Sequence, residues 1–166
     1  MKLSRQTIRV AVILSILLFI VGLYTWGNIF VALLPIVGAV KYLDAGLSSQ
    51  YINMLLFCLT LALIPIATIL VWKLASIVKT NKKILTVCLI FAGITVSVLL
   101  RREMIKYQAR HIQPMTVLDY SDPRNPHLKA LDIGIPVSTI NFEGYALAGL
   151  VAGAVISFFA FRPRPK

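Results

Sequence analysis

FEGYALAGLVAGAVISFFAF, Phe142 to Phe161, is the stretch whose reading decides the fold. A helix rising 1.5 Å per residue needs about 20 residues to cross a hydrocarbon core of about 30 Å. This run has that length, and no charge lies between Glu143 and Arg162. Ala146, Gly149, Gly153, Ser157 and Ala160 fall at spacings of three and four, so they share one face. Leu147, Leu150, Val151, Val155, Ile156 and Phe158 occupy the other faces. Lipid offers no hydrophobic drive between helices, so small residues serve by letting two backbones approach closely. The five-residue stripe therefore reads as a helix-packing interface, either within this chain's own bundle or against a partner subunit.

Composition carries the same reading outward. The chain has 166 residues, 58% hydrophobic and 14% charged. A soluble domain is about 25% charged, so the class is a multispanning membrane protein. The net charge of +11 would suggest nucleic acid in a soluble protein. Here the bases flank apolar runs, so membrane orientation accounts for them and no nucleic-acid partner is expected. Cys58 and Cys88 lie deep in apolar runs without CxxC spacing. They read as small buried hydrophobes rather than a zinc site or disulfide framework, though they would face each other if their helices are neighbours.

Three further spans precede the last. Residues 10–26 follow a basic arm with Lys2, Arg5 and Arg9, and end on Tyr24 and Trp26, side chains suited to a membrane interface. The run is long and lacks an A-x-A site, so it is expected to be a retained span rather than a cleaved signal. Residues 52–72 form the second span, with Pro65 inside it, and residues 84–100 the third. Between the first two lies an apolar segment, about 29–40, interrupted by Pro35 and Gly38. It is too short to span and is expected to be interfacial or re-entrant, the alternative being one long first helix that continues past Gly27. The third helix is expected to continue past the membrane as a basic stub, RREMIKYQARHIQ, until Pro114. Within the extramembrane loop of about 101–141, residues 114–141 hold four prolines, and Ser121-Asp122-Pro123-Arg124-Asn125-Pro126 reads as consecutive turns. The predicted architecture is an all-α four-transmembrane-helix bundle forming a single polytopic membrane domain over 1–166.

Bases without acids occupy the N-terminal arm, the turn 79–83 and the tail from Arg162. The positive-inside rule then predicts both termini on the cytoplasmic side, with the 101–141 loop outside; the expected setting is a bacterial inner membrane, and in a mitochondrion or plastid the termini would face the matrix or stroma. Arg101 and Arg102 run against that rule locally.

Few residues invite chemistry. Away from the span edges, no Asp, Glu, Lys, Arg or His lies inside a span, which disfavours a proton-coupled carrier. Thr60, Thr68, Thr86, Thr95 and Ser157 can bond back to their own helices, and Asn53 is the expected interhelical hydrogen bonder. His111, Asp119, Asp122, His127 and Asp132 gather in the loop region without metal-site spacing. Ser121, Ser138 and Thr139 lack a nucleophile-elbow context. No catalytic residue, metal site or cofactor is expected, and the chain is read as a non-enzyme. Arg101, Arg102, Lys106 and Arg110 form a basic face suited to lipid headgroups or to an acidic partner.

Gly134-Ile135-Pro136-Val137-Ser138-Thr139 resembles the start of a signature of inorganic phosphate transporters of the PiT family. That signature continues with Thr-His, where this chain has Ile140-Asn141-Phe142, and no functional residue carries over. The leading functional expectation is an accessory or scaffolding subunit of a larger inner-membrane complex of secretion, conjugation or respiratory type. Its partners would be membrane lipids and other membrane-protein subunits. The alternatives are a small oligomeric transporter or channel, and an immunity or exclusion-type protein.

Overall fold

The computed structural model describes residues 5–35, 41–43, 46–111, 116–119, 127–130, 134–136 and 140–162. Four long helices carry the fold: α1 (Arg5–Leu33), α2 (Gly46–Leu74), α3 (Thr80–His111) and α4 (Phe142–Phe161). All four are long and apolar enough to cross a membrane. The protein is thus a multi-pass, all-helical membrane bundle. A helix is the natural spanning form because it satisfies its backbone hydrogen bonds internally where no water is present.

α4 packs between α2 and α3, and α1 lies along α2. The helix order across the bundle is therefore α1, α2, α4, α3, with the last helix inserted between its predecessors. The core is three small clusters. Ile64, Ile90 and Leu150 join α2, α3 and α4 at mid-bundle. Val71, Ala75 and Ile77 close one end. Ile105, Ala109, Ile140 and Phe142 close the other, with Phe30, Leu33 and Leu34 of the first helix region packed against them.

The first helix differs from the expected interruption at Gly27. It runs unbroken through Gly27 and Asn28 to Leu33. Gly in a helix costs only about 1 kcal/mol relative to Ala, comparable with the roughly 0.5–1.5 kcal/mol that each aromatic pair around it supplies. Trp26 stacks on Phe30 at 5.1 Å, and Phe30 meets the edge of Phe142 at 6.0 Å. Residues 29–33 thus belong to a long first helix rather than to an interfacial segment. Residues 36–40 lie outside the described ones. With 29 residues, α1 is about 43 Å long and exceeds a hydrocarbon core of about 30 Å.

The α2–α3 turn is closed by backbone geometry. Ser76 adopts a left-handed conformation, with φ 49°. Ile77 N–H donates to the Trp72 carbonyl at 2.9 Å, and Ser76 N–H to the Lys73 carbonyl at 3.3 Å. This pair of bonds is the Schellman closure, and the buried Ile77 supplies its apolar contact. Thr80 then starts α3.

The connections at the opposite end carry two short ribbons. β1 (Lys41–Leu43) pairs in parallel with β4 (Gly134–Pro136), and β2 (Thr116–Asp119) pairs antiparallel with β3 (His127–Ala130). The first pairing ties the α1–α2 connection to the α3–α4 connection, which places both at one end of the bundle. The long loop is thus partly ordered by strand pairing, and the turns expected over 121–126 lie outside the described residues.

Candidate functional site

The stripe on α4 meets α3 at very short range. Ala146, Gly149, Gly153 and Ser157 are buried, whereas Ala160 is exposed. A Cβ built on Gly153 would stand 2.7 Å from the Ile90 Cα. One on Gly149 would overlap the Gly93 carbonyl oxygen and lie 2.7 Å from the Ile94 Cα. One on Gly93 would lie 2.5 Å from the Gly149 carbonyl oxygen. No side chain larger than hydrogen fits at these three positions without moving a backbone. Ser157 turns its hydroxyl onto the Gly153 carbonyl at 2.7 Å, so its polar group is spent within α4. Gly93 was not singled out from the sequence. Its signal is the small pair Gly93 and Ser97, four apart on one face of α3.

The other candidate cluster sits where α1, α3 and α4 meet beside the loop. Asn141, in a left-handed conformation with φ 48°, caps α4 by accepting the Gly144 N–H at 3.0 Å. A Cβ on Gly144 would come within 2.6 Å of that same oxygen, so this cap requires glycine three residues on. The cap directs Glu143 inward, where it is 1% exposed. Its Oε1 accepts the Trp26 indole N–H at 3.2 Å, and its Oε2 has no protein partner among the described residues. A cavity of about 20 Å³ lies between Glu143, Trp26, Phe30, Phe57 and Val98, enough to hold about one water. The carboxylate also occupies the first turn of α4, where the helix dipole favours negative charge. The sequence counted Glu143 as a span-edge residue. Only the packing of α1 over it makes it a buried group.

Arg101 belongs to the same cluster. It is 9% exposed, donates its Nε–H to the Ile140 carbonyl at 2.7 Å, and lies 5.3 Å from the Tyr145 ring centre. Arg101, Ile105 and Ala109, each four apart, form the covered face of the α3 extension. The stub therefore does not stand free: this face is packed on Ile140, Phe142 and the upper end of α1. Of the four bases nominated from sequence, Arg101 turns inward. Arg102 is half-buried, Lys106 pairs with Glu103, and Arg110 is exposed. Tyr107 is exposed and packs at a tilt against His111, with ring centres 4.1 Å apart.

Thr60, Thr68, Thr86 and Thr95 each donate to the carbonyl four residues earlier. Asn53 is half-buried and makes no interhelical hydrogen bond among the described residues. Cys58 is buried where α1 crosses α2 at Gly22, whereas Cys88 is exposed on α3, so the two thiols do not face each other. Asp119 and His127 are register partners at one end of the β2–β3 ribbon. His111 lies exposed at the end of α3, with its Nδ1 2.8 Å from the Tyr107 carbonyl oxygen. Asp122, Asp132, Ser121, Ser138 and Thr139 fall outside the described residues. The described residues contain no group of three metal-ligating side chains.

Compared with protein-family models, curated proteins and solved structures, the chain finds no match. The six-residue likeness to the PiT signature thus has no family-level match behind it.

Proposed function

We propose that this chain is a non-catalytic accessory or scaffolding subunit of a larger membrane assembly, in a bacterial inner membrane with both termini cytoplasmic. The observation that carries this reading is the end of α3. With 32 residues, α3 is about 48 Å long, well beyond a hydrocarbon core of about 30 Å. Its extension is anchored by Ile105 and Ala109 and presents Tyr107, Gln108, Arg110 and His111 outward. A rigid polar helix face held beyond the membrane is a preorganised docking surface, because little ordering entropy remains to be lost on binding. The acid-free basic segments at the other end support the orientation.

The test is purification of the tagged chain at native level in mild detergent, with mass spectrometry and the native mass of the particle. A particle much larger than 18.4 kDa, with stoichiometric membrane-protein partners lost on Tyr107→Ala/Arg110→Ala substitution, is the expected result. A particle containing only this chain overturns the reading. A second reading, a small ion-coupled carrier working as an oligomer, draws on the buried Glu143 and its unpartnered oxygen. Flux in liposomes that disappears in Glu143→Gln would favour it.

A further inference from the structure

An unassigned groove lies at the bundle end that carries the α2–α3 turn. α1 rests on α2 and α3 rests on α4, so a groove opens over α2 between α1 and α3. Its volume is about 580 Å³, within the range of about 300–1,000 Å³ typical of small-ligand sites. Ala11, Leu14 and Leu18 form one wall, Phe91 the other, and Pro65 and Trp72 the floor. From Pro65 to Trp72 the groove runs about 10 Å along α2, and from Gln6 to Leu18 about 18 Å along α1. These lengths bracket the depth of one leaflet's hydrocarbon, about 15 Å. The groove is thus apolar over the depth of a single acyl layer.

Its rim is not apolar. Lys83 Nζ lies 5.4 Å from the Trp72 ring centre. The Trp72 indole N–H is covered and has no hydrogen-bond partner among the described residues. Lys82 reaches the other way, with its Nζ 6.0 Å from the Phe161 ring centre on α4, so Lys83 is the base that an observed contact places at this rim. Residues 5–18 and 64–91 contain no Asp or Glu. The Lys83 charge beside Trp72, in stretches free of acids, and a leaflet-deep apolar channel together match one class of occupant. We propose that this groove binds an anionic phospholipid from the leaflet at the basic end. An acyl chain lies along Leu14 and Pro65, and the phosphate sits at Lys83, beside the Trp72 ring. This site is independent of the docking role proposed for α3.

Fluorescence quenching by brominated lipid tests it. The sequence has two tryptophans, so Trp26→Phe leaves Trp72 as the sole fluorophore. The protein is titrated in nanodiscs with dibrominated phosphatidylglycerol or dibrominated phosphatidylcholine. Half-maximal quenching is expected at about fivefold lower mole fraction of the anionic lipid, the factor one surface lysine supplies. Lys83→Gln should abolish that preference, whereas Arg162→Gln, a base at the same end but outside the groove, should leave it intact. Native mass spectrometry of the unsubstituted chain should show one retained phosphatidylglycerol, which keeps the test independent of the Trp26 substitution. Equal quenching by the two lipids overturns the proposal, as does quenching that never saturates. A dimeric mass with Trp72 shielded from both lipids also overturns it, because a second copy then fills the groove.

Discussion

The contact between α3 and α4 and the contact between α1 and α2 are both built on small residues, yet they hold differently. At the first, Gly93, Gly149 and Gly153 interlock so that each backbone touches the other. At the second, Gly22 meets Cys58, and a Cβ there would still stand 3.0 Å from the sulfur and 3.1 Å from the Cα. Beyond that point Ala11 is the only other buried residue of α1, and it lines the groove. In lipid, helix association draws on dispersion contacts at short range and on hydrogen bonds rather than on burial from water. An interface of three reciprocal glycines therefore fixes two helices over several turns. An interface with one glycine fixes a crossing point. α1 needs its second anchor, the stacked Trp26 and Phe30 at the loop end.

Single substitutions should separate the two interfaces by the size of their effect. Gly149→Ala should have the largest effect. Its methyl would run into the Gly93 carbonyl, and overpacking costs about 1–3 kcal/mol, more than the roughly 1 kcal/mol of helix propensity gained. Thermal unfolding in detergent should show a clearly lowered midpoint. Unchanged stability would mean that α3 and α4 are not in backbone contact. Arg101→Met comes next. It leaves the Ile140 carbonyl without its donor, a loss of about 1–3 kcal/mol for a buried acceptor, and should show as faster proteolysis of the loop before α4. Gly27→Ala should stabilise by about 0.5–1 kcal/mol, because Gly27 is helical with nothing within 4 Å of an added Cβ. Destabilisation there would restore a break in the first helix. Glu143→Gln should change the midpoint by less than the energy of one hydrogen bond, about 1 kcal/mol, since an amide oxygen still accepts the Trp26 N–H. A large loss would show that the charge itself holds α1 to α4. Gly22→Ala should have the smallest effect. Crowding against Cys58 opposes a helix-propensity gain of similar size, and α1 can shift. A loss as large as that of Gly149→Ala would erase the distinction between the two interfaces.

The positions of the bases show the same division between sequence and packing. Arg101 and Arg102 stand at the loop end, against the charge bias that favours the opposite end. The structure gives Arg101 a reason to be there. It is the side chain that ties Ile140, the last loop residue before the α4 cap, to α3. A base used inside the fold carries little weight in orientation. The four spans, the continuation of α3 past the membrane and the small face of α4 were legible because length, hydropathy and helical spacing are local properties. The continuity of α1 through Gly27 and the burial of Glu143 were not, since both depend on Phe30 and Trp26 meeting Phe142 and Glu143 across more than 100 residues of chain.

The sequence by itself determined that this protein is a multi-pass helical membrane protein, because an uncharged run of about 20 apolar residues has no comparably stable alternative in lipid. It also determined which face of α4 could come close to another helix. Only the tertiary structure decided that this face is filled by Gly93 and Ile90 of the same chain. It alone decided that Arg101 and Glu143 turn inward and that α1 and α3 part to leave a leaflet-deep groove. The reason is that small residues and span-edge charges state what a position permits. Which neighbour occupies it is settled by the short-range fit of whole helices, and that fit is not encoded at any one position.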